Sequence, residues 1–228
     1  MKKRNITLLV LLFMSAASFA FLLPAPNNIA LFLIIKNNVD RKPENANWTK
    51  AKKGELIYGG DFVRTQKQSF TLIKFNDNSA LRLGPNAEVQ VFGDRDPSSV
   101  NISSGDVDFK MTKRKEGVFR FTTPTSVASI RGTQGLIGVN LDGSDFLTII
   151  EGLVMFTNKV SNVVDSVGAG YTAISYKDGT ITVHKSTQQD IDRLNQLVKE
   201  FTGQQHKIEI WFMGSDGKLH KMTIQTGQ

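Results

Sequence analysis

The chain's inventory for chemistry is 3 histidines, 21 Asp and Glu residues and no cysteine. His184, His206 and His220 show neither His-x-His nor His-Glu-x-x-His spacing, so solvated imidazoles are the expected reading. Without cysteine there is no thiolate nucleophile, no disulfide framework and no thiolate metal site. A Gly-x-Ser-x-Gly nucleophile turn is absent, and Arg131-Gly132-Thr133-Gln134-Gly135 lacks the lysine and the length of a phosphate-binding loop. Asp106 and Asp108 share one face of a strand, and paired carboxylates can hydrolyse glycosides. Their setting reads as ordinary solvated positions. Asp94-Arg95-Asp96 and Asp142-Gly143-Ser144-Asp145 offer oxygen ligands for calcium, but neither completes an EF-hand loop. The basic stretch Thr112-Lys113-Arg114-Lys115-Glu116-Gly117 reads as a solvated hairpin tip rather than an anion site. No catalytic residue, metal ligand or cofactor is expected from this inventory.

The elements that position these residues follow from periodicity. Val107, Phe109 and Met111 alternate with Asp106, Asp108, Lys110 and Thr112. Phe119 and Phe121, Val89 and Val91, and Ile181 and Val183 alternate with polar neighbours in the same way. Period two places one set on a core face and the other in water. Ala30 to Ile35 and Phe70 to Phe75 are more continuously apolar, as buried strands are. Turn residues separate the runs: Asn37-Asn38, Asp77-Asn78-Ser79, Gly84-Pro85-Asn86, Asp142-Gly143-Ser144 and Asp178-Gly179-Thr180. Many short strands with frequent turns predict an all-β sandwich, jelly roll or β-solenoid.

One helix interrupts this pattern. Ser186-Thr187-Gln188-Gln189 has the form of a capping box, and Ile191, Leu194, Val198 and Phe201 then recur at helical spacing up to Gly203. Ile208 to Phe212 and Leu219 to Gln225 flank Gly214-Ser215-Asp216-Gly217, a β-hairpin signal. The expected organisation is a targeting segment at 1–23, a β domain at 29–184 and a helix-plus-hairpin appendage at 186–228.

The targeting segment opens with Lys2-Lys3-Arg4 and an apolar run from Ile6 to Leu23. This is the pattern of a secretory signal peptide or an N-terminal signal anchor. Ser18 and Ala20 set up cleavage after Ala20; a retained membrane anchor is the alternative, and either outcome places the body outside the cytoplasm. The net charge is +7, and three of the positive charges lie in that segment. A balance this mild, without a binding motif, argues against nucleic acid as a partner.

Several segments together resemble one family. Gly60-Asp61-Phe62-Val63-Arg64-Thr65 resembles its Gly-Asp-x-Val-x-Thr segment, with Trp48, Ala51 and Gly54-Glu55-Leu56 as lead-in. Asn76 to Asn86 is similar to its Asp-Gly-Ser-x-Leu-x-Leu-x-Pro stretch, with Asn78 in place of the usual Gly. Gly105-Asp106-Val107 fits its Gly-x-Val strand. Thr123-Pro124 followed by Arg131-Gly132-Thr133, then Glu151-Gly152-Leu153-Val154 and Gly168-Ala169-Gly170, complete the series. The family is the FecR domain, and the likeness runs from about Ile29 to Val183.

The resemblance implies an extracytoplasmic, non-catalytic domain whose motif residues organise backbone. Gly60, Gly132 and Gly152 are expected at left-handed or crowded positions, and Asp61 as the cap of a turn. Arg131 is expected in a half-buried fork with Glu151 or Asp61. FecR-type anti-sigma regulators carry a cytoplasmic domain before their span. Only Met1 to Asn5 precede the apolar run here, so that role is not expected to carry over. Three functions follow, in descending order. The first is a binding or scaffold module of the bacterial envelope with a protein or polysaccharide partner. The second is an accessory sensor working with a separate membrane partner. The third is a carboxylate hydrolase.

Overall fold

The computed structural model describes residues 28–92, 99–113, 117–202, 207–213 and 219–225. The export segment, Asp94-Arg95-Asp96, Arg114 to Glu116, His206 and the turn Gly214 to Gly217 lie outside the described residues. In chain order the body comprises β1 (Asn28–Lys36), β2 (Val39–Lys42), β3 (Thr49–Lys50), β4 (Leu56–Tyr58), β5 (Asp61–Thr65), β6 (Phe70–Phe75), β7 (Ala80–Leu83), β8 (Glu88–Phe92) and β9 (Ser99–Lys110). It continues through β10 (Phe119–Thr122), β11 (Ser126–Ile130), β12 (Gln134–Val139), β13 (Asp145–Glu151), β14 (Leu153–Asn158), β15 (Val164–Gly168), β16 (Tyr171–Ser175) and β17 (Ile181–Lys185). Helix α1 (Gln188–Thr202) and a hairpin of β18 (Lys207–Met213) and β19 (Leu219–Gln225) follow.

The body strands form two hydrogen-bonded ladders that share β9. The first runs β4–β1–β6–β7–β9–β12–β13–β16–β17. The second runs β3–β2–β5–β8–β9–β10–β11–β14–β15. All of these pairings are antiparallel except β9 with β10. The start of β9 pairs with β8 and β10, and its end, from Gly105, pairs with β7 and β12. Gly105 has φ +79, and a Cβ there would lie 2.5 Å from the Ala87 Cα. Only glycine fits that crossing.

Both ladders feed one core. Phe32, Ile73, Leu81, Phe109 and Leu147 come from the first, and Val63, Val89, Phe121, Ile130 and Phe156 from the second. The rings of Phe109 and Phe121 meet across it with centroids 5.0 Å apart. Each such side chain contributes roughly 1.5–3 kcal/mol by leaving water. The class expected from the sequence is therefore present: all β-strand with one C-terminal helix among the described residues. The mixed ladder does not close into a barrel and is not a clear solenoid.

Helix α1 starts one residue later than the predicted box. Thr187 Oγ1 accepts the Asp190 N–H, and Asp190 Oδ2 accepts the Thr187 N–H at 2.8 Å. The aspartate is shorter than the glutamine expected as partner, and it also carries the charge that suits a helix start. Leu194 and Leu197 are buried, with Val198 and Phe201 beside them, on Phe70, Leu136, Phe146 and Ile174 of the first ladder's outer face. Leu197 was not on the predicted apolar face; it lies one turn after Leu194 and on the docked side. Arg193 fastens the helix through Nε and Nη2 to the two oxygens of Asp106, each at 2.7 Å. Its Nη1 donates to Asn140 Oδ1 at 2.9 Å, and its guanidinium lies 3.8 Å from the Phe146 ring centroid. Lys36 and Glu200 add an ion pair nearer the helix end.

Alternation misplaced one residue of β17. Val183, expected in the core, stays 40% exposed because β17 is the last strand of its ladder. Leu197→Ala should cost about 2–5 kcal/mol in chemical denaturation, with helix and sheet melting together. An unchanged midpoint would mean that α1 stands outside the cooperative unit.

Candidate functional site

The motif residues gather at three places. At the first, Asp61 is buried, and its Oδ2 accepts the Tyr58 N–H at 2.7 Å. Arg41 supplies its counter-charge through Nε at 2.8 Å and Nη2 at 2.7 Å, and bonds Glu55 through Nη1. Burial works against the Arg41 charge, but the bonds to Glu55 and Asp61 outweigh it and raise its pKa. Thr65 Oγ1 donates to Gly84 O at 2.5 Å and accepts the Ala87 N–H at 2.9 Å. The Gly-Asp-x-Val-x-Thr segment thereby clamps the Gly84-Pro85-Asn86 turn. Gly60 has φ +93. Arg64 bonds Asp40 through Nε at 3.0 Å and lies over the Trp48 ring.

The second place is the turn from β10 to β11. Pro124 is exposed, while Thr123, Thr125 and Ser126 point inward to Asp145, which is fully buried on β13. Asp145 Oδ2 accepts Thr123 Oγ1 at 2.5 Å, the Thr125 N–H at 2.7 Å and Ser126 Oγ at 3.1 Å, as well as Thr125 Oγ1. Lys159 Nζ reaches the Thr123 carbonyl at 3.0 Å. Asn158 Nδ2 donates to Ser175 Oγ and to Tyr176 O, each at 2.8 Å. In the sequence Asp145 stands out only as a candidate calcium ligand. Its place after the Asp142-Gly143-Ser144 turn, at the head of an apolar strand, was the signal of an inward acid.

The third place is the corner joining β11 to β12 and β13 to β14. Gly132 has φ +68, and a Cβ there would sit 2.7 Å from the Lys113 Cβ. Gly152 has φ +94 and abuts Thr133, which is buried. Arg131 and Glu151 are both exposed, where a half-buried setting is expected for Arg131. Arg41 occupies the position next to Asp61 expected for Arg131.

The paired carboxylates also depart from expectation. Asp108 is 1% exposed and is held by Arg82 Nη1 at 2.5 Å, and Asp106 is held by Arg193. The strand's outward face is covered here, so ion pairs to Arg82 and Arg193 stand where the period-two rule expects water. Among the described residues, no three His, Cys, Asp or Glu side chains converge as a metal site. His184 Nε2 lies 3.4 Å from Asp190 Oδ2 at the start of α1. A groove of about 1010 Å³ runs between α1 and two turns, with Phe70, Pro85, Asn140, Leu141, Arg193 and Leu197 along it. Leu141 stands fully exposed at its lip.

Burial lifts the Asp108 carboxyl above its ordinary value, and the Arg82 guanidinium opposes that rise. The folded protein thus holds this proton to higher pH than the unfolded chain does. The resulting stabilisation is complete below the ordinary value of 3.8 and is lost as pH rises through the raised folded value. Denaturation of wild type and Asp108→Asn across this range should show similar stabilities in acid and a relative gain for the variant toward neutral pH. A difference independent of pH would show that the carboxyl is not perturbed.

Comparison with known proteins adds a family and a fold. No curated protein matches the chain. Two crystal structures, each of a candidate anti-sigma factor from Parabacteroides distasonis ATCC 8503, match with TM-score 0.52 and 12% identity. Each match covers 59% of this chain and 64% of the other, and at that identity it speaks for the fold alone. The sequence profile described as FecR protein matches residues 61–155, from the start of β5 into β14. That stretch holds the clamped turn, the crossing at Gly105 and the Asp145 network, and by it this chain carries a FecR-family region.

Proposed function

We propose that this protein is an extracytoplasmic, non-catalytic FecR-domain component of envelope signalling, acting as a sensor with a separate membrane partner. The FecR region over residues 61–155 carries this reading. The fold likeness to candidate anti-sigma factor structures supports it. The export signal read from Lys2-Lys3-Arg4 and Ile6 to Leu23 supports the location outside the cytoplasm.

A binding or scaffold module without signalling is the second reading. The observation in its favour is that two buried acids serve the body's own structure: Asp61 bonds Arg41, and Asp145 accepts from four hydroxyl and amide donors. A carboxylate hydrolase is disfavoured, since Arg193 and Arg82 engage the two acids that it would use.

Deleting the gene separates the first two. The sensor reading predicts that one coherent set of transcripts, under a single alternative sigma factor, shifts under envelope stress, and that restoring the protein reverses the shift. A deletion strain with an altered envelope and unchanged transcripts would favour the scaffold.

A further inference from the structure

The two ladders differ in what covers them. Helix α1 lies on the outer face of the first. Across the outer face of the second, the registers line up one continuous row: Lys42 opposite Phe62, Phe62 opposite Gln90, Gln90 opposite Asn101 and Asn101 opposite Thr122. All five side chains are partly exposed. Four strand steps make this row roughly 19 Å long. We propose that it binds an extended anionic polysaccharide lying across the strands.

The chemistry of the row selects that ligand. Amide and hydroxyl groups of Gln90, Asn101 and Thr122 suit a polymer dense in hydroxyls. Trp48 meets Phe62 edge-on, with centroids 6.4 Å apart, at one end of the row. Lys42 Nζ lies 4.1 Å from the Phe62 centroid, and the Arg64 guanidinium lies 4.2 Å from that of Trp48. Stacking of this kind fixes the cations in place before a ligand arrives, which lessens the entropy lost on binding. Arg120, opposite Ser99 on the next row, is exposed. Among the described residues Lys42 and Arg120 have no carboxylate partner, so their charge is available to an acidic sugar. Two such cations are too few to grip nucleic acid, whose binding rests on neutralising many phosphates. The proposal goes beyond the signalling reading and does not require it.

Titration calorimetry of the full chain tests it. The probes are polygalacturonate, a neutral linear glucan, polyglutamate and single-stranded DNA. Polygalacturonate should bind, and the other three should bind at least about tenfold more weakly. Trp48→Ala, and separately Lys42→Gln with Arg120→Gln, should each weaken polygalacturonate binding by about tenfold or more, while Lys110→Gln on the other ladder should not. The double variant alters surface charges and leaves the aromatic pair intact, so it reports even if Trp48→Ala disturbs the fold. No binding of polygalacturonate, equal binding of polyglutamate or DNA, or an equal loss with Lys110→Gln would overturn the proposal.

Discussion

Strand β9 belongs to both ladders, and the rest of the body depends on how it passes between them. Its first half is held by β8 and β10, its second by β7 and β12, and the change falls at Gly105. A backbone at φ +79 with Ala87 against it leaves no room for a side chain. Since the same strand carries Val100 and Ile102 on one ladder and Val107 and Phe109 on the other, its crossing puts both apolar faces into one core. In this chain the Gly105-Asp106-Val107 segment is, in physical terms, this crossing.

The outward side of β9 then sets the difference between the two faces. After the crossing it presents Asp106 and Asp108. Asp106 receives Arg193 and so fixes α1 over Phe70, Leu136 and Phe146. A partly exposed ion pair adds little net stability, and its two-pronged geometry fits the helix at this place. Before the crossing β9 presents Asn101, and that side keeps polar and aromatic groups at its surface. One strand thus separates a face covered by α1 from a face whose polar and aromatic side chains stay partly exposed.

Much of this was legible in the sequence, because period-two alternation and turn chemistry are local. The core faces of β8 and β10, and Asn78 at φ +71 in its turn, follow from neighbouring residues alone. The motif segments marked the tight places, Gly60, Gly132 and Gly152. What depended on distant chain did not show. Asp108 read as solvated because Arg82 lies 26 positions away, and Arg193 approaches Asp106 across 87. Asp61 takes its counter-charge from Arg41, which lies outside every motif, rather than from Arg131. Asp145 was missed as the centre of the Thr123–Ser126 turn because no single segment contains both sides of that network.

The central claim is that β9 makes the two ladders one cooperative body. Native-state hydrogen exchange of its amides, followed as denaturant is added, tests it most directly. Val100 to Ile102 and Val107 to Phe109 should exchange through the same opening, with the free energy and denaturant dependence of global unfolding. Two separate openings of different energy on either side of Gly105 would contradict it, because the ladders would then be independent units joined by a strand.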